Sequence, residues 1–223
     1  MTGSFDLDRL YQHRFSGADA ARKMAVWAEI VAYLGRWIPR DAAVLDIACD
    51  EGYFIRNVVA GERWATDIRD IDALGEGIRF VRVDGLELST AVPERHFDVA
   101  FMSNYLEHLP SSEAVVTQLR QVHRVLKPGG RLIVLQPNIR FIGGAYWDFL
   151  DHKTPLTERS LAEAAETSGF EIERLIPRLL PYTTKSRLPQ HPALVRAYLR
   201  FPPAWRLLGK QTLLVARSVA APG

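Results

Sequence analysis

Three aspartates lie at or near the ends of three consecutive short apolar segments. Asp46 precedes a loop of small and acidic residues that ends at Gly52. Asp67 comes about twenty residues after Asp46, where an acid accepts hydrogen bonds from two ribose hydroxyls. Asp84 ends the third segment, where its carboxylate could accept from an adenine amino group. Each acid alone is typical of a turn or a helix N-cap, but together the three favour a nucleoside site.

Alternating strands and helices would bring these acids together. Such alternation predicts an α/β fold, a doubly wound and mainly parallel sheet with helices on both faces. Ligands of such sheets bind beyond the carboxyl ends of the strands. Helices are predicted at 21–38, 53–60, 113–126 and 157–168, the last capped by Thr157. Strands are predicted at 43–48, 63–67, 78–84, 97–103, 131–135, 170–176 and 211–217. Residues 137–155 and 177–209 read as irregular.

Five segments carry a resemblance to a known family. They are 44–54 (VLDIACDEGYF), 66–68 (TDI), 83–85 (VDG), 97–109 (FDVAFMSNYLEHL) and 122–132 (VHRVLKPGGRL). In this order the chain resembles the class I S-adenosylmethionine-dependent methyltransferases from about residue 41 to 217. The resemblance implies a Rossmann-like seven-stranded sheet, with 211–217 as an antiparallel last strand beside the sixth. It also implies S-adenosylmethionine as methyl donor and S-adenosylhomocysteine as product.

The resemblance assigns roles to the residues at the strand ends. Asp46, Ala48, Asp50 and Gly52 would frame the loop under the methionine portion of the donor. Asp67 would hold the ribose, and Ile68 would pack on adenine. Asp84 and Gly85 would read the adenine edge, and Ser103 and Asn104 would line the methionine end.

The loop after the first strand departs from the family pattern. The family has glycine at three alternating positions, which are Ala48, Asp50 and Gly52 in this chain. An aspartate beside the donor's own carboxylate costs affinity unless it points away, meets a cation or accepts backbone N–H groups. We expect Asp50 to be tolerated or to contact the methionine amine.

Two histidines are candidate catalytic residues. A hydroxyl acceptor needs a base, and histidine titrates near neutral pH. His108 follows the fourth strand, and His152 lies after the fifth, where relatives place loops that face the acceptor. A packing or gating role for His108 and a surface role for His152 are the competing interpretations. His96 and His123 are expected to be structural.

The charge of the chain is unevenly distributed. All 26 acidic and 19 of the 28 basic residues lie in 1–173, a balance of −7, whereas 174–223 carries +9. Residues 177–210 read as a basic acceptor-side insertion in a single domain of 223 residues. The rest comprises an N-terminal helical lid (1–40), a cofactor-binding core (41–176) and a final strand (211–217).

Three interpretations of the basic insertion stay open. Its arginines could bind a phosphate-bearing acceptor, contact an anionic membrane surface, or pair with the acidic remainder of the chain. A helix over 192–201 would place Leu194, Tyr198 and Phe201 on its apolar side.

Several classes of function are disfavoured. A single cysteine, Cys49, excludes a disulfide framework, and the acids lack metal-ligand spacing, so no metal is expected. The net charge of +2 argues against a nucleic-acid partner. With neither a signal peptide nor an apolar span, a cytoplasmic location is expected. A nicotinamide oxidoreductase would need a Gly-x-Gly-x-x-Gly loop that is missing here.

The expected function is therefore methyl transfer to a small-molecule acceptor. A hydroxyl of a sugar or of another biosynthetic intermediate, which could bear a phosphate, is the favoured acceptor. A non-catalytic cofactor-binding regulatory or partner protein and an RNA methyltransferase are the alternatives.

Overall fold

The computed structural model describes residues 17–71, 74–182 and 191–219. Its described part contains one mixed sheet of seven strands. The strands are β1 (Ala43–Ile47), β2 (Glu62–Asp67), β3 (Ile78–Arg82), β4 (Phe97–Ser103), β5 (Leu126–Pro137), β6 (Phe170–Leu180) and β7 (Gln211–Ser218).

The strand order is β3-β2-β1-β4-β5-β7-β6. Strands β1 to β5 pair in parallel, and β7 lies between β5 and β6, antiparallel to both. The predicted Rossmann-like sheet, with an antiparallel last strand beside the sixth, is confirmed. Because β1 to β4 are parallel neighbours, their carboxyl ends form one edge of the sheet.

Helices cover both faces of the sheet. They are α1 (Gly17–Leu34), α2 (Tyr53–Asn57), α3 (Leu88–Ala91), α4 (Ser112–Val125), α5 (Ile139–Ile142), α6 (Glu158–Glu166), α7 (Pro192–Leu199) and α8 (Pro202–Leu208). Short 3₁₀ turns add Gly35–Trp37, Gly85–Glu87, Leu106–His108 and Gly143–Asp148. No helix within the described ranges is both long and apolar enough to cross a membrane.

Alternate residues of the central strands enter two separate apolar cores. Leu45 of β1 belongs to the core that includes Leu119 of α4. Val44 belongs to the opposite core, with Leu34 of α1 and Phe54 of α2. Every residue of β1 is buried, as expected for a strand with helices on both sides.

Several predicted boundaries were wrong. The stretch 127–130 was expected to end the preceding helix before a fifth strand at 131–135, but it belongs to β5, which begins at Leu126. Leu126 pairs with Phe97, and the register shifts between Phe97 and Val99, so an irregular ladder accommodates Pro128 and two glycines. The stretch 137–155, expected to be irregular, holds α5 and a 3₁₀ turn, and α3 was missed.

The predicted helices also shift at their ends. The first begins at Gly17 and ends at Leu34, before a 3₁₀ turn, whereas 21–38 was expected. Residues 1–16 of the predicted lid lie outside the described residues. The prediction of a cap at Thr157 is confirmed, since its hydroxyl accepts from the Ser160 N–H (3.1 Å) in a capping box.

The basic segment is more regular than the sequence indicated. Strand β6 extends to Leu180, and helices α7 and α8 follow. Of the three residues predicted on the apolar side of α7, Tyr198 packs against the core, whereas Leu194 and Phe201 are exposed. Leu199 is buried and Val195 packs against the core, a spacing of four residues that defines the inner face of the helix.

Candidate functional site

The loop after β1 has the backbone geometry for which glycine is the usual residue. Ala48, Asp50 and Gly52 have φ values of 53°, 49° and 70°. Only glycine adopts this left-handed region without steric cost, and aspartate tolerates it better than most residues. The three alternating positions of the predicted loop are therefore distinguished by conformation, and Ala48 carries the larger strain.

The carboxylate of Asp67 is saturated with hydrogen bonds. Its Oδ2 accepts from the Asp50 N–H (3.0 Å) and from Nη2 of Arg69 (3.3 Å). Its Oδ1 accepts from the backbone N–H (3.0 Å) and from Nε (3.1 Å) of Arg69. The side chain is buried at the carboxyl end of β2, where the sequence placed the ribose acceptor.

Arg69 also pairs with Asp50. Its Nη2 donates to Oδ1 of Asp50 at 2.8 Å. Hydrogen bonds to the two aspartates raise the pKa of Arg69, against an opposing effect of burial. The aspartate that was unexpected in the loop thus has a counter-ion within the chain. The prediction for Asp50 did not include Arg69, although its position two residues after Asp67 was a usable signal.

Asp46 lies beneath the loop and is fully buried. Burial raises the pKa of its carboxyl, and the carboxylates of Asp67 and Asp50 raise it further, while a hydrogen bond from the Ile55 backbone lowers it. The same surroundings include the buried thiol of Cys49, whose pKa is raised chiefly by burial. Ionisation of the Asp46 carboxyl is therefore less favourable in the folded chain than in water.

The third strand end presents Asp84 and Gly85. Asp84 Oδ1 accepts from the Leu86 N–H (3.0 Å) and caps a 3₁₀ turn, the structural role expected of a lone acid. Within the described residues no donor reaches its Oδ2, which leaves that oxygen able to accept from a ligand. Ile68, predicted to pack on adenine, is 51% exposed at the same edge.

The fourth strand ends in Ser103 and Asn104. Asn104 has a left-handed backbone (φ 48°), and its Nδ2 donates to Oγ of Ser103 at 3.0 Å. Since β4 is the neighbour of β1, these residues lie beside the loop that contains Asp50. The structure therefore places all the predicted donor residues along the carboxyl edge of β3, β2, β1 and β4.

The two candidate bases are brought together beyond β4 and β5. The ring centroids of His108 and His152 are 5.1 Å apart. Nδ1 of His152 donates to the Tyr146 carbonyl (2.8 Å), because a carbonyl oxygen can only accept. Nδ1 of His108 lies 3.2 Å from the carbonyl oxygen and 3.3 Å from Oδ2 of Asp151. In both rings the proton on Nδ1 leaves Nε2 as the basic atom.

Two acidic residues of this cluster were missed by sequence reasoning. Asp151 immediately precedes His152, but it orients His108 instead. Glu107 is buried, accepts from Nε2 of Gln136 (2.9 Å), and has a pKa raised by burial. One ligand-type atom from each of Glu107, His108 and His152 lies within 4.8 Å of the others. This grouping was not anticipated, and the absence of a metal stays a prediction.

The two histidines expected to be structural, His96 and His123, have contacts away from the site. Nε2 of His96 lies 2.9 Å from Oε2 of Glu62, and Nε2 of His123 lies 2.8 Å from the Val219 carbonyl. Neither contact reaches the carboxyl edge of the sheet.

Several arginines after residue 173 have partners within the chain. Arg196 donates to Glu29 (2.8 Å), and Arg217 pairs with Glu171. Arg178 donates to the Gly209 carbonyl (2.9 Å). Pairing with the acidic remainder of the chain therefore accounts for Arg196 and Arg217, while Lys185 and Arg187 lie outside the described residues.

The donor set fits a nucleoside with an attached amino acid. Asp67 and Asp84 lie at the carboxyl ends of β2 and β3, which are neighbouring strands. The loop after β1, with its left-handed residues, brings backbone close to the same edge of the sheet. The residues present thus suit an organic donor.

Comparison with known proteins agrees with this arrangement. The family model described as a methyltransferase domain matches residues 18–175. A ubiquinone/menaquinone biosynthesis C-methyltransferase from Azotobacter vinelandii is 31% identical over 157 residues, 62% of this chain and 60% of the relative. A probable S-adenosylmethionine-dependent methyltransferase from Mycolicibacterium smegmatis is 31% identical over 137 residues, 58% of this chain and 52% of the relative.

A solved structure shares the fold at low identity. The S-adenosylmethionine-dependent methyltransferase from Archaeoglobus fulgidus superposes with a TM-score of 0.63 at 18% identity, over 96% of this chain and 100% of that one. The chain thus spans little more than half the length of the two curated relatives, but nearly the whole of this structural neighbour.

Proposed function

Because the chain belongs to the methyltransferase-domain family, among the class I S-adenosylmethionine-dependent methyltransferases, we propose that it methylates a hydroxyl of a small molecule. The favoured acceptor is a sugar or another biosynthetic intermediate. The observation that carries the proposal is the pair His108 and His152, held 5.1 Å apart at the edge of the sheet where the donor acids lie.

The donor supplies a methyl group on a sulfonium. The chain contributes binding and alignment, through Asp67 toward the ribose and Asp84 toward the adenine edge. Ser103 and Asn104 lie beside the loop that would receive the methionine portion. Fixing donor and acceptor in line supplies much of the rate enhancement in such a displacement.

One of the two histidines takes the acceptor proton. Its Nε2 would accept that proton as the oxygen takes the methyl group that a bound sulfonium donor would supply, with the donor leaving as a thioether. The imidazolium that forms at His108 is stabilised by Asp151 at 3.3 Å. At His152 the Tyr146 carbonyl fixes the tautomer in the same way. Asp151 is a positioning residue in this scheme.

A second candidate is methylation at carbon. Its support is the similarity to the Azotobacter C-methyltransferase. Removing the proton from an aromatic hydroxyl activates both its oxygen and the ring carbon beside it, so the same base serves either outcome. Product analysis by NMR, with the methyl group observed on oxygen or on carbon, decides between them.

The variant His108→Ala/His152→Ala tests the proposed base. We expect a loss of turnover of about 10²-fold or more, with unchanged affinity for S-adenosylhomocysteine. His96→Ala is the matched control, since that ring pairs with Glu62 away from the site. Full turnover by the double variant would refute the base. Donor binding without turnover on any acceptor of the wild-type chain would favour a regulatory protein, and methylation of RNA would favour an RNA methyltransferase.

An anionic acceptor and a membrane contact are finer proposals about α7 and α8. Arg200 and Arg206 have no ion pair within the described part of the chain, and Phe201 and Leu207 are exposed beside them. Retained activity on a phosphate-bearing acceptor after Arg200→Gln/Arg206→Gln would argue against the anionic acceptor. If the protein did not pellet with anionic liposomes at low or at high salt, the membrane contact would be wrong.

A further inference from the structure

We infer that Arg69 is a specificity-determining residue of the donor site, because its guanidinium occupies the Asp67 oxygens that the ribose diol needs. This inference rests on the donor site proposed above. It concerns a residue for which neither the motif pattern nor the comparisons gave a role.

The number of hydrogen bonds that a carboxylate can accept determines whether the ribose diol and Arg69 can bind Asp67 together. A carboxylate offers about four lone-pair sites. Asp67 has four hydrogen bonds, two from the backbone N–H groups of Asp50 and Arg69 and two from the Arg69 side chain. Adding two ribose hydroxyl donors therefore requires two of the present donors to leave.

Only the side-chain donors can leave without rebuilding the loop. The Asp50 N–H belongs to a loop with three left-handed residues, and the Arg69 N–H follows directly from the end of β2. Nε and Nη2 of Arg69 lie on rotatable bonds. The two hydroxyls of the diol thus replace two guanidinium hydrogen bonds, one for one.

Asp50 gives the displaced guanidinium a second anchor. Nη2 of Arg69 donates to Oδ1 of Asp50 at 2.8 Å, shorter than its 3.3 Å contact with Asp67. The side chain can therefore release Asp67 and keep Asp50. This also explains how an aspartate is accommodated in a loop that approaches the donor, since the cation stays beside it.

Because the ribose must displace the Arg69 guanidinium, the site binds the donor more weakly than the same site would without Arg69. Ligands that present a vicinal diol recover the two lost hydrogen bonds, whereas a ligand without the diol leaves Arg69 in place. Arg69 thus lowers the affinity for ribosides relative to adenine-containing ligands that lack the diol, because only the ribosides have to displace its hydrogen bonds to Asp67.

Calorimetric titration of adenosine tests the exchange. Arg69→Ala should tighten adenosine binding by about tenfold, since no guanidinium hydrogen bonds have to break. A gain of affinity is a result that loss of a merely structural residue would not produce. Arg69→Gln, which keeps a side chain of similar length without the charge, should show the same direction if Arg69→Ala folds poorly. Arg131→Ala, which removes a surface pair with Glu173, should leave binding unchanged.

Two further measurements distinguish an error in the proposed exchange from an error in the proposed donor site. Arg69→Ala should give no gain in a chain that also carries Asp67→Asn, because the competition acts through Asp67. If the wild-type chain binds S-adenosylhomocysteine but Arg69→Ala leaves adenosine affinity unchanged or weaker, the exchange is wrong while the donor site stands. If neither ligand binds to any of these proteins, both the exchange and the proposed donor site are wrong.

Discussion

Gly85 is the position where a single methyl group should disturb both the fold and the donor site. A Cβ built at Gly85 would lie 2.5 Å from Oε1 of Gln118 and closer still to the Tyr105 hydroxyl. Real Cβ contacts are not this short, so both side chains would have to move. They are joined by a hydrogen bond from the Tyr105 hydroxyl to Oε1 of Gln118 at 2.9 Å.

The cost of Gly85→Ala follows from what that movement breaks. Gln118 is fully buried, and its Nε2 has no partner in the described part of the chain. Separating the pair leaves a buried carbonyl and a largely buried hydroxyl unsatisfied, and overpacking adds to this. We expect a loss of about 3 kcal/mol in the free energy of unfolding. For a chain of this size that corresponds to a fall in Tm of about 6–12 °C.

Thermal unfolding by circular dichroism, with urea unfolding beside it, measures this change. Gly35→Ala is the matched control, since a Cβ there would meet nothing within 4 Å. Tyr105→Phe in the Gly85→Ala chain removes one of the two clashing oxygens and should restore part of the loss. A Gly85→Ala protein that unfolds within about 1 °C of the wild type would refute the packing argument.

Three other predictions concern a buried acid, a helix cap and metal dependence. Asp46→Asn should stabilise the chain most at neutral pH, because the raised pKa of Asp46 makes its ionisation costly in the folded state. The gain in the free energy of unfolding should shrink as pH falls toward 4. Urea unfolding at several pH values measures it, and a gain that grew on acidification would contradict the prediction. Thr157→Ala should cost about 1 kcal/mol, measured in the same way, and no change would exclude the cap. Dialysis against EDTA should leave methylation unaffected, whereas a loss restored by zinc would assign a metal to Glu107, His108 and His152.

The positions of the donor acids could be predicted from the sequence because sheet geometry fixes them. Once 43–48, 63–67 and 78–84 are identified as parallel strands, the acids after them must share an edge. The left-handed conformations of Ala48 and Asp50 agree with this, since the family pattern has glycine at those positions. No knowledge of side-chain rotamers is needed for either step.

The partners of those acids could not be predicted in the same way. Arg69 reaches back across two residues to Asp67 and across the loop to Asp50. Asp151 is adjacent to His152 in sequence but contacts His108, 43 residues earlier. Such contacts depend on the direction of side chains in irregular segments, which hydrophobic periodicity does not specify.

The predicted ends of strands and helices were wrong where tertiary contacts overrode the local sequence signals. Pro128 and two glycines predicted a break, yet pairing of Leu126 with Phe97 extends β5 through them. In α7 the choice of Leu194 as an inward residue failed because the core contacts Val195 and Leu199 instead. Both errors come from tertiary contacts with distant segments.

A crystal structure with S-adenosylhomocysteine tests the proposed donor site most directly. We predict that both ribose hydroxyls lie within hydrogen-bond distance of Asp67 and that Asp84 faces the adenine edge. The Arg69 side chain should keep its contact with Asp50 and have left Asp67. The sulfur should point toward the space bounded by Ser103, Asn104 and the two histidines. A ligand bound elsewhere, or a ribose that leaves Asp67 untouched, would contradict the assignment.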